Sequence, residues 1–286
     1  MNTLIYPMFN YILWNPPTGV QLGPISIRYY SICWGIGLLL AYMIVQKLYK
    51  LQNIPEEKFS PLFVYCFIGI FVGARLGHCL FYDPDYYYHH ILEIFLPLKE
   101  TPDGWKFIGY AGLASHGGTI GLIAALWFYV RRTKLNILCV LDNIAIATPI
   151  AACFIRLGNL MNSEIIGKVT DVPYAFIFSS ITIEPRHPAQ LYEAIAYLLF
   201  FITGIILYYK YPQKVGTGFF FGFCLTTIFT FRFFVEYVKE VQGGIDDGSL
   251  MIDMGQILSI PFILLGIACL VGGKWLKRFS IVSKKI

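Results

Sequence analysis

The sequence contains few charged residues. Lys and Arg together number 22 and Asp and Glu number 17 in 286 residues, which is 14% of the chain, whereas soluble proteins average about 25%. Hydrophobic residues make up 57%, and the mean hydropathy is +0.62. A soluble protein with so little charge could not cover its surface with polar groups. The composition therefore excludes an ordinary soluble protein and predicts a polytopic membrane protein.

The chain also lacks the motifs of several binding functions. No basic cluster is interleaved with aromatic residues, so a nucleic-acid partner is not expected. The seven cysteines lie in or beside apolar stretches, form no Cys-x-x-Cys pair and show no metal-ligand spacing. They are interpreted as small buried hydrophobic residues.

Long apolar runs are what the chain does contain. A helix needs about 20 apolar residues to cross the hydrocarbon core, and seven stretches qualify. They predict one all-α integral membrane domain over residues 1–286, with outer-face loops near 83–107 and 159–187 as possible small elements outside the membrane. Whether the segment 84–105 is a lid, an extra strand or an interfacial helix stays open. The predicted spans are Tyr29–Gln46, Pro61–Tyr82, Phe107–Val130, Leu135–Gly158, Pro188–Tyr209, Val215–Glu236 and Met254–Gly273.

Basic residues in the loops predict the orientation of these spans. Thirteen of them lie in the loops after the first, third and fifth spans and in the C-terminal tail, and five lie in the alternate loops. Cytoplasmic loops carry the excess of Lys and Arg. The pattern therefore predicts an N-terminus outside and a C-terminus in the cytoplasm.

This orientation brings most ionisable residues of the spans to one depth. Arg75, Arg156 and Arg232 fall near outer ends, and His116 falls about nine residues below the outer end of the third span. The inner half is nearly bare, with Asp142 as the exception, interpreted as structural. A transporter or channel needs polar groups through both halves. The pattern favours a reaction or binding chamber at the outer leaflet.

Three arginines at one depth require negative charge nearby. Glu164 and Glu236 are the obvious partners, and Arg232 and Glu236 can pair because they are four residues apart on a helix. The remaining positive charge predicts a bound anion. At the outer leaflet that anion is a lipid phosphate, which guanidinium binds bidentately. The alternative, in which the arginines snorkel to the interface and pair structurally, stays open.

Glycines recur at a spacing typical of close helix packing. Gly69, Gly73 and Gly77 are four residues apart, as are Gly117 and Gly121. Small residues at this spacing allow helix backbones to approach closely. We interpret these glycines as packing residues.

Several motifs resemble those of a known family. The stretch Arg156–Gly167, Arg-Leu-Gly-Asn-Leu-Met-Asn-Ser-Glu-Ile-Ile-Gly, is similar to the signature Arg-x-Gly-Asn-Phe-x-Asn-x-Glu-x-x-Gly of the bacterial phosphatidylglycerol–prolipoprotein diacylglyceryl transferases. Leu160 stands where the family usually has Phe. Five further stretches resemble the family in the same order along the chain, namely Gly73–Tyr82, Ser115–Gly118, Pro185–Glu193, Phe231–Glu236 and Met254–Pro261.

The resemblance implies a multi-pass transferase of the bacterial inner membrane, with its outer loops in the periplasm. It would move the diacylglyceryl group of phosphatidylglycerol to the lipobox cysteine thiol in the signal peptide of a prolipoprotein. The product is a thioether, glycerol phosphate leaves, and no metal or organic cofactor is implied. Its partners would be phosphatidylglycerol, the prolipoprotein and the lipid bilayer. A phospholipid transporter or flippase with an outer-leaflet cavity, and a non-enzymatic receptor for lipoprotein precursors, stay open as alternatives.

Chemistry and resemblance together suggest catalytic roles. Arg156 and Arg232 would hold the lipid phosphate and stabilise its departing charge. His116 would accept the thiol proton, unless it only hydrogen-bonds a neighbouring helix or the arginines lower the thiol pKa by their field alone. The residues expected to bind the headgroup with Arg156 are Asn159, Asn162, Arg75 and Tyr30. The residues expected to support the site are Glu164, Gly167, Glu236, Gly117 and Gly118.

Overall fold

The computed structural model describes residues 11–23, 25–101, 104–107, 112–240 and 253–272, and helices dominate this part of the chain. The helices are α1 Tyr29–Leu51, α2 Glu56–Phe81, α3 Pro84–His89, α4 Ile91–Phe95, α5 Ser115–Thr133, α6 Ile137–Met161, α7 Ala189–Lys210, α8 Phe219–Val235 and α9 Met254–Val271. The short strands are β1 Ile12–Trp14, β2 Gly19–Leu22, β3 Ile25–Arg28, β4 Leu98–Thr101, β5 Gly104–Phe107, β6 Phe176–Phe178 and β7 Pro185–Arg186.

Six of these helices are long and apolar enough to cross a membrane, namely α1, α2, α6, α7, α8 and α9. Many of their apolar side chains point outward, as Phe67, Leu199 and Leu264 do with 52%, 56% and 62% exposure. Broad apolar surfaces of this kind are unfavourable in water, whereas lipid tails are as apolar as the side chains themselves. The prediction of a polytopic, mainly helical membrane protein is confirmed.

The third predicted span, Phe107–Val130, corresponds to α5, but the helix begins later. Gly112 has a φ of +80°, a left-handed conformation that an α-helix does not contain, and α5 starts at Ser115. His116 therefore lies in the first turn of α5, and its predicted depth of nine residues below a helix end is wrong. The count of seven spans and the orientation stay predictions.

The described chain forms two compact units. The first contains residues 11–48 and 138–272, and the second contains residues 49–137. In the first unit, a cluster of Leu48, Ile146, Tyr208 and Phe220 forms part of the core. Its small sheet has the order β1-β6-β7, in which β1 runs parallel to β6 and β7 runs antiparallel to it. The sheet uses residues of the predicted outer loop 159–187.

Two polar contacts fix the ends of helices in the first unit. The Nε1 of Trp14 donates to the carbonyl oxygen of Leu160 at 2.9 Å, so the sheet is attached to the last turn of α6. The buried carboxylate of Asp142 accepts the backbone amides of Gly216, Gly218 and Phe221 at 2.9–3.0 Å. A carboxylate at this position complements the positive end of α8. Asp142 therefore has a structural role.

The second unit is built on the close approach of α2 and α5. A Cβ placed on Gly73 would lie 2.4 Å from the carbonyl oxygen of Gly117, and one on Gly121 would lie 2.0 Å from that of Gly69. Neither position can hold a larger residue, which confirms the packing role of these glycines. Gly118 meets only ordinary contacts, the nearest at 3.5 Å. The outer segment 84–105 is neither wholly helical nor wholly extended, because α3 and α4 are followed by the β4–β5 hairpin.

Candidate active site

The family-like signature begins in the last two turns of α6 and continues through a tight reversal. The backbone amide of Glu164 donates to the carbonyl oxygen of Asn159 at 2.9 Å. Ser163 and Ile165 have φ values of +54° and +57°. For a β-branched residue such as Ile165 this conformation is an outlier that costs of order 1–3 kcal/mol. The surrounding contacts therefore hold the turn in place.

The polar side chains of this turn form one hydrogen-bonded string. The two carboxylate oxygens of Glu164 accept the amides of Asn159 and Asn162, each at 3.1 Å. The Oδ1 of Asn159 in turn accepts from Nη1 of Arg156 at 3.4 Å, and the side-chain amide of Gln190 donates to the backbone oxygen of Glu164. Glu164 thus orients the two asparagines and acts on Arg156 through one of them.

Gly167 ends the signature at a point where three segments meet. Its amide donates to the carbonyl oxygen of His187 at 2.9 Å, and the next amide, of Lys168, donates to that of Val238 at 2.8 Å. A Cβ on Gly167 would lie 2.5 Å from the oxygen of His187 and 2.7 Å from that of Val238. Only glycine fits there.

Burial lowers the pKa of the His187 imidazole below its ordinary value, which favours the neutral ring.

Tyr30 is positioned by a second glycine of the signature. A Cβ on Gly158 would lie 3.0 Å from the ring of Tyr30 and 3.4 Å from Cβ of Cys33. The glycine therefore lets the N-terminal end of α1 pack directly against α6 beside Arg156. This arrangement agrees with the expected place of Tyr30 near the signature residues.

A fully buried carboxylate organises the cations of the site. Glu193, in the second turn of α7, has no exposed side-chain surface, and its Oε2 lies 3.0 Å from Nε of Arg156. Its Oε1 lies 3.2 Å from Nζ of Lys239 and accepts the hydroxyl of Tyr197 at 3.1 Å. A buried carboxylate is stable only when it is paired and hydrogen-bonded, and these three partners provide that.

Arg156 and Arg232 line one cavity of about 250 Å³ at the ends of α6, α8 and α9. Two of the three carboxylates that the structure describes at its wall form ion pairs. Glu236 lies 3.5 Å from Lys239, and Glu240 lies 2.9 Å from Arg186. The other residues of the wall are Ile165, Lys239, Asp253, Met254, Gly255 and Leu258.

Arg232 stands apart in this network. Among the residues that the structure describes, its guanidinium has no hydrogen-bond or ion-pair partner, and its Nε is buried. The pairing of Arg232 with Glu236, predicted from their spacing, is wrong, because the Glu236 carboxylate is turned toward Lys239. An unpaired buried guanidinium N–H is costly. The guanidinium of Arg232 is therefore the candidate anion-binding group of this cavity.

The remaining predicted site residues belong to the second unit. Arg75 is buried, and its guanidinium donates to the carbonyl oxygens of Glu93, Ile94 and Gly112 while lying 5.0 Å from the ring centre of Tyr87. These contacts favour a role in holding the segment that follows α2 rather than a headgroup contact. His116 is exposed, and Gly117 and Gly118 follow it in the first turn of α5.

The segment that follows α2 in the second unit also contains a buried acid. Burial acts to raise the pKa of the Glu93 carboxyl, but hydrogen bonds from the amide of Glu100 and the hydroxyl of Tyr86, at 2.9 and 2.8 Å, hold that pKa below its ordinary value. Burial and this acceptor raise the pKa of Tyr86 to about 12. Glu93 is thus a structural anion that fastens α4 to its neighbours.

Two residues of the site were not predicted in their present roles. Lys239 is one of the five basic residues of the alternate loops, and Glu193 ends the family-like stretch Pro185–Glu193 without an assigned catalytic or binding role. The spacing Glu236-x-x-Lys239 could have suggested an i,i+3 pair. The contact between Lys239 and Glu193 joins residues 46 positions apart, and no local pattern reports it.

The chain is similar to a family of named enzymes. A family model described as prolipoprotein diacylglyceryl transferase matches residues 17–272. A phosphatidylglycerol–prolipoprotein diacylglyceryl transferase of Bacteroides fragilis is 60% identical over 258 residues, which cover 90% of this chain and 93% of the relative. Proteins of the same name from Tolumonas auensis and Chloroherpeton thalassium are 43% and 41% identical over 262 and 261 residues. These alignments cover 91% and 90% of this chain and 96% and 92% of those relatives.

Proposed function

The chain belongs to the prolipoprotein diacylglyceryl transferase family, and from that premise we propose that it transfers the diacylglyceryl group of phosphatidylglycerol to a prolipoprotein. The acceptor is the thiol of the lipobox cysteine in the signal peptide. A bond forms between sulfur and the terminal glycerol carbon of the diacylglyceryl group. The bond from that carbon to the phosphate oxygen breaks, and glycerol phosphate leaves. The thiol proton passes to a base, so atoms and charge balance without a redox partner.

The observation that carries the proposed site is the guanidinium of Arg232, which has no partner among the described residues, beside Arg156 in one cavity. The departing group is a phosphate monoester, which gains negative charge as the carbon–oxygen bond breaks. Guanidinium groups aimed at that charge stabilise the transition state more than the ground state. Among the described residues the Arg232 guanidinium has no partner that it would have to release, whereas Arg156 is held in place by Glu193 and Asn159. We assign Arg232 the main contact with the phosphate and Arg156 the second.

The neutral donors of the signature add specificity for the headgroup. Asn159 and Asn162 each donate one side-chain N–H to Glu164, so the second N–H of each amide is oriented before the lipid binds. Preorganised donors lose little entropy on binding. Tyr30 packs against Gly158 and contributes an amphipathic ring of the kind found at headgroup depth. These residues form the proposed phosphatidylglycerol subsite.

The base assigned to the thiol is His116. The free thiol has a pKa near 8.5 and is therefore mostly protonated near pH 7. A base must accept this proton, and an imidazole is suited to do so. This assignment rests on the family-like triplet His116-Gly117-Gly118 and on imidazole chemistry. No cysteine of this chain acts as the nucleophile, since the attacking sulfur belongs to the substrate.

The proposed location is the inner membrane of a bacterium, with the cavity toward the outer leaflet. The loop charges support an outside N-terminus and a cytoplasmic C-terminus. At the outer leaflet the enzyme meets both the lipid and a secreted precursor that is still anchored by its signal peptide. No organic cofactor or metal enters the proposed reaction.

The test is a transfer assay with purified protein in detergent or vesicles. Given phosphatidylglycerol with labelled acyl chains and a lipobox peptide, the enzyme is expected to attach the label to the peptide through a thioether. A peptide with Ser in place of Cys is the control and should remain unlabelled. Movement of lipid across vesicles without thioether formation, or peptide binding without turnover, would instead support a flippase or a receptor.

A further inference from the structure

Arg232 and Glu236 have the spacing of an ion pair but do not form one. They lie four residues apart at the end of α8, where opposite charges attract. Nevertheless the described structure contains no ion pair between them, and Nε of Arg232 is buried without a partner. Such a pair would neutralise the guanidinium that the proposed reaction needs. Another contact must therefore hold the carboxylate away.

Lys239 supplies that contact. After α8 the backbone continues as a single 3-10 turn over Glu236–Val238, which brings residues three apart onto one face. Nζ of Lys239 lies 3.5 Å from Oε2 of Glu236 and 3.2 Å from Oε1 of Glu193. Lys239 is 7% exposed. It is therefore fixed between two carboxylates rather than free in solvent.

The beginning of α9 favours the same position of the carboxylate. A Cβ on Gly255 would lie 2.6 Å from Oε1 of Glu236, so the carboxylate packs directly on this glycine in the first turn of α9. The N-terminal turn of a helix carries partial positive charge. Glu236 thus has two favourable contacts on the side of Lys239 and α9.

We propose that Lys239 is a positioning residue that holds the Glu236 carboxylate away from Arg232 and so keeps this arginine available for the lipid phosphate. The inference rests on the proposed function and adds a residue to it. Without the ammonium group, Glu236 is free to turn back and pair with Arg232. The Glu236 carboxylate would then compete with the lipid phosphate for Arg232, and binding of the lipid would require the Arg232–Glu236 pair to break.

The experiment measures kcat/KM for phosphatidylglycerol at a saturating concentration of lipobox peptide. Lys239→Met is expected to lower kcat/KM about tenfold, the cost of breaking one charge-assisted contact. The double variant Lys239→Met with Glu236→Gln is expected to recover most of this loss, because a neutral amide does not neutralise Arg232. Lys239→Arg keeps the charge and is expected to stay close to the wild-type value.

The double variant separates this role from simple stabilisation. If Lys239 served only to neutralise the fully buried carboxylate of Glu193, removing the charge of Glu236 as well would not restore turnover, and the proposal would be wrong. Unchanged kcat/KM in Lys239→Met, or an equal loss in Lys239→Arg, would also overturn it. Should Lys239→Met not fold, Lys239→Gln retains a donor for Glu193 and takes its place with the same outcomes.

Two controls complete the design. Lys210→Met removes the same charge from an exposed position at the far end of α7, and its kcat/KM should equal that of wild type. Thermal unfolding of each purified variant shows whether it is folded. Wild-type protein that makes no thioether would refute the proposed function itself. Active wild type with no rescue in the double variant refutes only the role of Lys239.

Discussion

The Glu193 carboxylate lies 3.0 Å from Nε of Arg156 and is completely buried. The two residues belong to α7 and α6, and the same carboxylate holds Lys239 from the segment that follows α8. One acid thus fixes two cations from separate segments at one cavity wall. This explains why Arg156 can be both strongly held and still face the cavity.

The first prediction concerns the stability of this pair. Glu193→Gln removes the negative charge but keeps the shape, so Arg156 and Lys239 lose their common partner. Loss of one member of a buried ion pair typically costs about 3–5 kcal/mol, and the free energy of unfolding in detergent should fall by about that amount. The control is Glu184→Gln. Glu184 pairs with Arg186 at 3.4 Å, and half of the Glu184 side chain is exposed. That change should cost less than about 1 kcal/mol.

The second prediction concerns the two arginines of the cavity. Arg156→Ala and Arg232→Ala are each expected to lower turnover by about a hundredfold or more, to a level that is no longer measurable. A loss of this size is usual when one donor to a developing oxyanion is removed. Arg131→Ala removes an exposed guanidinium that packs on Trp127 and should leave turnover unchanged. Full activity in both cavity variants would remove these arginines from the phosphate site.

The third prediction uses the close approach at Gly167. Gly167→Ala would place a Cβ 2.5 Å from a backbone oxygen, and overpacking of this kind costs about 1–3 kcal/mol. We expect a lower unfolding temperature together with lower activity, because the signature turn must shift. Gly35→Ala is the matched control, since nothing lies within 4 Å of a Cβ there and alanine favours the helix by about 0.5–1 kcal/mol. Equal stability of the two variants would contradict this view of Gly167.

The fourth prediction is a dependence of stability on pH. Burial lowers the pKa of His187 below the ordinary value of 6.5, so the unfolded chain takes up a proton at higher pH than the folded one. The stability that the neutral His187 ring contributes to the folded state is fully present above about pH 6.5. It is lost as the pH falls through the folded-state pKa. His187→Asn should therefore reduce the fall in unfolding temperature between about pH 7 and pH 5. An identical pH profile in the variant would show that other groups cause the slope.

The sequence predicted the type of fold because its signal is distributed over many residues. Apolar stretches of about 20 residues predict helices that cross a membrane regardless of how they pack, and the described part of the chain contains six helices long and apolar enough to do so. The beginning of α5 was misplaced because it depends on a single conformation, the positive φ of Gly112. An apolar window extends through such a residue without interruption, so hydropathy alone could not locate the break.

The site was predictable where its contacts are local. Arg156, Asn159 and Glu164 are close in the sequence, and the turn that joins them holds them together in the structure. The partner of Glu236 was mispredicted because local spacing alone allows Arg232, whereas the choice of Lys239 depends on Glu193 from another helix and on Gly255. Competition among partners from distant segments is a tertiary property, and a single sequence does not report it.

The last prediction concerns His116 and the thiol proton. If His116 accepts this proton, His116→Ala must rely on thiolate formed by spontaneous ionisation, which rises with pH toward the free thiol pKa of about 8.5. The defect in kcat/KM should therefore be large at about pH 6.5 and shrink as the pH approaches about 8.5, with His89→Ala as a control at an exposed histidine. A defect of the same size at every pH would assign His116 a structural role. No defect at any pH would mean that the field of the arginines suffices to ionise the thiol.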